Sequence, residues 1–166
     1  LINQLLSLAR AEASYEKIYA VERVDLEALL RTMLSDFVPR ARQKSIDFGL
    51  ETTDRPLVID GNPVLLAELL KNLIDNAIKY TPEGGRVTVR TLATEKAIVE
   101  VEDTGIGVPD ADRERVFERF YRVLGSSESG SGLGLPIVRE IAELHRAHVS
   151  LNPNPAGKGT IAQVVF

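Results

Sequence analysis

The sequence has 166 residues, of which 44% are hydrophobic, enough for one globular domain with a sizeable core. Its 24 acidic and 20 basic residues are interspersed and give a net charge of −4, so it lacks the basic surface typical of proteins that bind nucleic acid. The absence of cysteine excludes disulfides, thiolate catalysis and zinc-thiolate sites, and no apolar run approaches the roughly 18 residues of a membrane span.

The first 20 residues predict the end of a helix and a linker. Apolar residues recur at helical spacing from Ile2 to Ala9 with no N-cap before them, which indicates a truncated helix to about Tyr15. A helix of this length is marginal in water, so we expect it to pack on a partner helix. The chain starts without an initiator Met, and we expect it to be part of a longer protein. A connector over Glu16–Arg23 follows.

The next segment predicts one helix and two strands. Asp25 can cap a helix over about Leu26–Lys44, in which Pro39 predicts a kink or an early stop. Its inward side chains would be Leu29, Leu30, Met33, Leu34 and Phe37. Ser45–Glu51 alternates apolar and polar residues and Leu57–Ile59 is a short apolar run, so both predict strands.

The longest predicted helix is Pro63–Tyr80, which begins after a turn and ends at Thr81–Gly85. Its apolar stripe comprises Leu66, Leu69, Leu70, Leu73, Ile74 and Ala77. Asn72, Asn76 and Lys79 share the flank where this stripe meets solvent. Asparagine is a poor helix-interior residue, so the pair needs an explanation. It is either two satisfied surface amides or a row of neutral oxygen ligands beside a cation, followed by a lysine for anionic oxygens.

Two strands, Arg86–Leu92 and Ala97–Asp103, predict a hairpin. Alternate residues of the second strand share a buried face, which places the Asp103 carboxylate at the end of a buried row. Two glycines follow at Gly105 and Gly107. A buried carboxylate must accept hydrogen bonds, and either a purine amine or a backbone amide of the turn can donate them.

A long loop from Thr104 to Ser129 contains one short helical run near Asp110–Phe120 and is expected to be functional or mobile. Gly130, Gly132 and Gly134 then open a helix to about His145 and leave backbone amides at its N-terminus, where phosphate is favoured. The spacing matches neither a dinucleotide fingerprint nor a P-loop. The inward residues of this helix would be Ile137, Val138, Ile141 and Leu144.

Two strands, about Ala147–Leu151 and Thr160–Phe166, close the chain. Gly157 and Gly159 between them indicate a hairpin turn, and Thr160 could offer a hydroxyl at the floor of a pocket. The sequence shows no internal repeat. The order of elements predicts an α+β two-layer sandwich, with a mixed, mostly antiparallel sheet of about five strands covered on one face by about three helices.

Five ordered segments closely resemble the catalytic ATP-binding domain of sensor histidine kinases. They are Asn72–Tyr80, Asp103–Gly107, Phe117–Arg122, Gly132–Leu135 and Gly157–Thr160. The resemblance covers about residues 21–166 and implies the Bergerat fold shared with gyrase, mismatch-repair and heat-shock-chaperone ATPases. Residues 1–20 then resemble the end of the second helix of a dimerisation hairpin and its linker.

The resemblance implies ATP and Mg²⁺ as cofactors. By position, Asn76 is similar to the main Mg²⁺ ligand and Asn72 to an assisting one, and both are implied to act in catalysis with Lys79, a phosphate contact. Tyr80 resembles a residue that packs on the nucleoside. Asp103 resembles the residue that recognises adenine.

The resemblance also implies an ATP lid over about residues 108–131. Phe117 and Phe120 are similar to its hydrophobic anchor, and Arg119 and Arg122 to phosphate contacts, although a solvated charged helix would also explain the arginines. The remaining residues implied to bind nucleotide are Gly105, Ile106, Gly107, Gly132, Leu133, Gly134, Leu135 and Thr160.

Two departures bear on the reaction, one from the wider superfamily and one from the pattern of histidine kinases. Hydrolytic relatives place a water-activating glutamate one helical turn before the Mg²⁺ asparagine, and Asn72 stands there in this chain, which favours transfer to a protein over hydrolysis. Residues 1–20 contain no histidine, so the phosphoacceptor is expected outside this chain. His145 and His148 are interpreted as structural or surface residues.

The resemblance therefore implies a protein-histidine kinase of a two-component system. The implied partners are its own phosphoacceptor and dimerisation domain, in a homodimer, and a response regulator, with no nucleic acid. The domain would be cytoplasmic and joined to the plasma membrane only through preceding segments. A protein-serine kinase of the anti-sigma-factor type and a non-catalytic nucleotide-sensing module stay as alternatives.

Overall fold

A computed structural model of the chain describes residues 20–53, 55–123 and 131–166. The predicted N-terminal helix lies outside the described residues, as do the start of its connector and residues 124–130 of the predicted lid. The boundary near residue 20 stays a prediction. In chain order, the elements are β1 (Glu22–Asp25), α1 (Leu26–Leu34), α2 (Val38–Gln43), β2 (Asp47–Glu51), β3 (Val58–Gly61), α3 (Pro63–Tyr80), β4 (Arg86–Ala93), β5 (Ala97–Asp103), α4 (Gly134–Leu144), β6 (His148–Pro153) and β7 (Thr160–Val165).

Five strands form one sheet in the order β2-β4-β5-β7-β6. β2 and β4 run parallel, and the other neighbours are antiparallel, which confirms the predicted mixed, mostly antiparallel sheet. On β5, Val99 and Val101 are buried in the core between sheet and helices. Asp103 ends the same row and is 8% exposed. The alternation of side chains along the strand therefore correctly predicted that this carboxylate is buried.

The α3 helix has the predicted bounds because both of its ends carry strong local signals. The Asn62 side chain accepts the N–H groups of Val64 and Leu65 at 3.0 Å, and Pro63 occupies the first turn. At the other end, the Thr81 hydroxyl donates to the carbonyl of Ala77 at 2.6 Å. Every residue of the predicted stripe is buried, and Ile78 joins them.

The predicted helix over Leu26–Lys44 is two helices, α1 and α2. The Asp25 carboxylate caps α1 as expected, accepting the N–H groups of Glu27 and Ala28 at 3.0 and 3.1 Å. Pro39 lies in the first turn of α2, where its missing N–H leaves no helix partner unsatisfied. The break therefore falls before Val38. Of the inward residues, Leu30, Leu34 and Phe37 are buried, and Leu29 and Met33 are partly buried.

The strand β1 is a correction, because Glu22–Asp25 overlaps the predicted connector. It pairs antiparallel with β3 in a second, two-stranded sheet, with Val24 opposite Ile59. Four residues are too few for an alternating pattern to stand out from a polar linker.

Two further differences concern helix ends. Leu144 is predicted to be inward but is 53% exposed, since it is the last residue of α4. The helical run expected near Asp110–Phe120 consists of two single 3₁₀ turns, Asp110–Asp112 and Arg115–Phe117.

The C-terminal end of α3 is held by Lys44, which follows α2. Its Nζ donates to the carbonyl oxygens of Ile78 and Lys79, both at 2.9 Å. The last carbonyls of a helix lack intrahelical partners and form the negative end of its dipole. The Lys44 ammonium therefore donates hydrogen bonds to these carbonyls and also interacts favourably with the dipole.

Lys44→Met keeps most of the aliphatic stem but removes both hydrogen bonds to α3. We expect the free energy of unfolding to fall by about 1–2 kcal/mol, measured by urea denaturation. Lys96→Met, in the exposed turn between β4 and β5, is the matched control and should change it by less than about 0.5 kcal/mol. Equal stabilities of the two variants would contradict this role of Lys44.

Candidate functional site

A cleft of about 610 Å³ lies between α3, the start of α4 and the strands β5 and β7. Its apolar walls include Val101, Ala162 and Leu151 from the sheet. The site residues predicted from the sequence that line it are Asn72, Asn76, Lys79, Tyr80, Asp103, Ile106, Gly107, Arg122, Gly132, Gly134, Leu135 and Thr160. Segments that are far apart in sequence therefore share one cavity.

One end of the cleft is built around Asp103. Its Oδ1 accepts the backbone N–H of Gly105 at 2.8 Å and that of Thr160 at 3.2 Å. Burial raises the pKa of Asp103 from 3.8 to about 6, and these two hydrogen bonds partly oppose the rise. Oδ2 accepts no hydrogen bond from the described part of the chain and is not sealed from solvent. The backbone amides of Gly105 and Thr160 thus occupy Oδ1, and Oδ2 is available to a donor in the cleft.

Glycines bring the backbone close to Asp103 on two sides. A Cβ on Gly159, where φ is +113°, would lie 1.9 Å from the carbonyl oxygen of Asp103. A Cβ on Gly105 would lie 2.5 Å from the carbonyl oxygen of Tyr80. Side chains at either position would push strand β5 away from its neighbours.

Asn154, which is not among the predicted site residues, also fixes Asp103. It is 3% exposed, and its Nδ2 donates to the Asp103 carbonyl at 2.9 Å and to Glu102 Oε1 at 3.2 Å. Its Oδ1 accepts the N–H of Ala156 at 2.9 Å. The available signal was an asparagine followed by proline and a glycine turn, which is typical of side-chain-capped turns.

The other end of the cleft carries the two asparagines. Asn72 Nδ2 donates to the Glu68 carbonyl at 2.8 Å and to Glu68 Oε1 at 3.1 Å. Both partners are acceptors, so the amide nitrogen must face them and Oδ1 must face away. A Cβ on Gly134 would lie 3.2 Å from Asn72 Oδ1 and 3.6 Å from Asn76 Nδ2, so this oxygen lies beside the start of α4.

The start of α4 leaves backbone donors available. Its N-cap residue, Leu133, makes no side-chain cap hydrogen bond. The first N–H groups of a helix have no intrahelical acceptor, so those beside Gly134 can bind an anion. Lys79 on α3 lines the same cleft, and its Nζ lies 4.8 Å from the ring centre of Tyr80.

Three predicted site residues do not line the cleft. Arg119 donates to Glu140 Oε1 at 2.6 Å outside the cavity, Leu133 is packed in the core, and Gly105 donates its backbone N–H to Asp103 Oδ1. Of the two phenylalanines of the predicted hydrophobic anchor, Phe117 is buried but Phe120 is 65% exposed.

His145 has a structural role, as the sequence predicted. It caps the end of α4, where its Nδ1 lies 2.7 Å from the Ile141 carbonyl, and its Nε2 accepts the N–H of Asn62 at 3.0 Å. His148 is exposed on β6.

Comparison with known proteins finds sensor kinases among the relatives of this chain. It is 41% identical over 150 residues to the sensor protein QseC of Salmonella typhimurium, covering 90% of this chain and 32% of that protein. The sensor protein kinase PmrB of Pseudomonas aeruginosa is 37% identical over 168 residues, covering 99% of this chain and 34% of that protein. The chain thus spans about a third of these relatives.

Solved structures show the same fold. A mycobacterial sensor histidine kinase, MprB, superposes with a TM-score of 0.78 at 34% identity, covering 89% of this chain and 97% of that chain. The cytoplasmic segment of the histidine kinase QseC gives 0.69 at 30% identity, covering 99% and 89%. The model of the histidine kinase-, DNA gyrase B- and HSP90-like ATPase family matches residues 61–166, which is more than half of the sequence. The chain therefore belongs to this ATPase family.

Proposed function

We propose that this domain binds Mg-ATP and transfers its γ-phosphate to a histidine of a dimerisation domain outside this chain. One observation supports this proposal: the same cleft is lined by a buried carboxylate with one available oxygen and by two amides beside a helix N-terminus. A purine amine fits the first of these features and a polyphosphate the second.

At the base end, Asp103 Oδ2 would accept a hydrogen bond from the exocyclic amine of adenine. The hydrogen bonds from Gly105 and Thr160 hold the other oxygen and so fix the carboxylate plane. Tyr80 and Ile106, which line the cleft, would pack against the nucleoside.

At the phosphate end, Asn76 and Asn72 would hold Mg²⁺. Asn72 fits this role, since Glu68 forces its amide oxygen away from the helix. The described residues contain no cluster of three or more His, Asp or Glu side chains suited to a metal, and Mg²⁺ commonly binds through few protein oxygens together with substrate phosphates. When bound, Mg²⁺ neutralises charge on those phosphates.

The reaction would depend on positioning and charge neutralisation. Lys79, Arg122 and the N–H groups at Gly134 would hold the phosphates. The bond between the β–γ bridging oxygen and the γ-phosphorus breaks, a bond from an imidazole nitrogen to that phosphorus forms, ADP leaves, and the imidazole proton goes to solvent. Asn72 cannot activate water, which favours transfer over hydrolysis.

The relatives also support a proposal for the remaining partners and the location. A sensor kinase of this type would form a homodimer and pass its phosphate to a response regulator. Among the residues described, no helix combines the length and apolar character needed to cross a bilayer. The similarity to a cytoplasmic segment of QseC supports a cytoplasmic domain within a membrane-anchored sensor.

Asn76→Ala tests the phosphate end. Calorimetric titration should show Mg-ATP affinity at least about tenfold weaker, because a cation ligand is lost, while adenosine binds as before through Asp103. Asn152→Ala, in an exposed residue of β6 outside the cleft, should bind both ligands like the wild type. Unchanged Mg-ATP affinity in Asn76→Ala would remove this residue from the site.

The transfer step is tested in the full-length protein with labelled ATP. We expect acid-labile phosphate on the protein, as a phosphohistidine gives, and its loss in Asn76→Ala. Acid-stable phosphate would instead identify a serine kinase, and ATP binding without any transfer would identify a nucleotide-sensing module.

A further inference from the structure

Arg40 lies in the same cleft although it belongs to none of the five motif segments. It projects from α2, in which Ala41 is buried and after which Lys44 donates two hydrogen bonds to the end of α3. Its Nη1 contacts Asp75 Oδ1. The backbone of Arg40 is thus held beside the middle of α3, while its long side chain can still change partner.

The ion pair lies next to the amide edge, which consists of the side-chain amides of Asn72 and Asn76. Asp75 precedes Asn76 and follows Asn72 by three positions, a spacing that makes neighbours on a helix surface. Arg40 and Asp75 both line the cavity that holds these amides. A phosphate bound at this edge would therefore lie within reach of both charges.

The pair is weak enough to exchange partners. The Arg40 and Asp75 side chains are 52% and 31% exposed, and ion pairs this accessible contribute about 0–1 kcal/mol to stability. A guanidinium binds phosphate oxygens through two parallel hydrogen bonds, and a phosphate carries more charge than one carboxylate. Phosphate should therefore displace Asp75 from Arg40.

We propose that Arg40 is a further phosphate-binding residue and that Asp75 competes with the nucleotide for it. This inference rests on the proposed binding of Mg-ATP. It gives the two members of the ion pair opposite effects: Arg40 attracts the phosphates, whereas Asp75 both occupies Arg40 and repels them.

The test compares Mg-ATP with adenosine by calorimetry. Arg40→Gln should weaken Mg-ATP binding about tenfold and leave adenosine unchanged, since one charged hydrogen-bonding group is lost. Asp75→Asn should tighten Mg-ATP binding about threefold. The gain from Asp75→Asn should be smaller when Arg40→Gln is already present, because Asp75 then has no Arg40 to occupy and only repels the phosphates. Arg42→Gln, in an exposed residue of the same helix outside the cleft, should match the wild type.

Arg40→Lys is the second variant, since it preserves the positive charge and should lose only part of the affinity. Wild-type Mg-ATP affinity in both Arg40 variants would overturn the proposal. Weaker binding in Asp75→Asn would overturn it too, because Asp75 would then assist the nucleotide. If the wild type binds adenosine but gains nothing from the phosphates, the proposed function itself fails, and this result is separate from any effect of Arg40.

Discussion

Asp103→Asn should make the domain more stable near neutral pH while weakening its binding of ATP. In the folded protein, burial raises the pKa of Asp103 from 3.8 to about 6, so keeping this carboxylate ionised costs up to about 3 kcal/mol. The asparagine oxygen can still accept from Gly105 and Thr160, which preserves the turn. We expect a higher melting temperature and an intact fold.

The affinity should change in the opposite direction. The asparagine nitrogen would replace Oδ2, so a donor would face the exocyclic amine of adenine, which is also a donor. Loss of a charged hydrogen bond and the mismatch should weaken ATP binding by about 10- to 100-fold in calorimetric titration. ATP affinity equal to that of the wild type would remove Asp103 from the base-binding end.

The pH dependence gives a second readout with a defined sign. A carboxyl whose pKa is higher in the folded state contributes most stability below 3.8 and loses it as the pH rises through about 6. The stability difference between Asp103→Asn and the wild type should therefore shrink as the pH falls from 7 towards about 4. The wild type should also lose ATP affinity below about pH 6, relative to the variant, because the protonated acid has lost an acceptor.

Asp60→Asn is the matched control for these measurements. Asp60 is exposed on β3 and its replacement makes the same change in net charge. It should alter neither ATP affinity nor the pH dependence of stability. A similar stabilisation in Asp60→Asn would attribute the effect to net charge rather than to the burial of Asp103.

The parts that were predictable from sequence are those determined by local periodicity. The bounds of α3 follow from Asn62, Pro63 and the apolar stripe, and the burial of Asp103 follows from alternation along β5. Both patterns repeat within a few residues, so no knowledge of distant contacts was needed.

The missed features depend on contacts between distant parts of the chain. Asn154 contacts the Asp103 carbonyl across 51 residues, and Lys44 reaches the Ile78 carbonyl across 34. The pairing of β1 with β3 and the place of Arg40 in the cleft likewise join elements that are distant in the sequence. The local pattern around Asn154 indicates a capped turn but not its contact with Asp103, and Lys44 and Arg40 carry no local pattern that distinguishes them from ordinary surface residues.

The helices α3 and α4, which both line the cleft, are in contact at the two ends of α4. His145 at the end of α4 accepts a hydrogen bond from Asn62 at the start of α3, while Gly134 at the start of α4 lies against Asn72 and Asn76. Antiparallel helices joined in this way hold the amide edge and the donors of α4 at a fixed separation. The sheet supplies the opposite end of the cleft, and its geometry depends on Gly159.

Among alanine substitutions in the turn between β6 and β7, Gly159→Ala should disrupt the part of the cleft around Asp103 the most. The new Cβ would lie 1.9 Å from the Asp103 carbonyl oxygen and 2.8 Å from Thr104 Cα, so β5 and the turn must separate. This displaces the Thr160 N–H that holds Asp103 Oδ1. We expect ATP affinity to fall at least about tenfold, since the carboxylate loses its orientation.

Gly157→Ala separates this clash from backbone strain. Both glycines have positive φ, +129° at Gly157 and +113° at Gly159, but a Cβ on Gly157 meets nothing within 4 Å. Gly157→Ala should therefore cost only the strain, about 1–3 kcal/mol of unfolding free energy, and should keep ATP affinity near that of the wild type. Gly159→Ala should lose more stability and also lose affinity. If both variants lost the same stability and the same ATP affinity, backbone strain alone would explain the effect of Gly159→Ala, and the contact with Asp103 would not contribute.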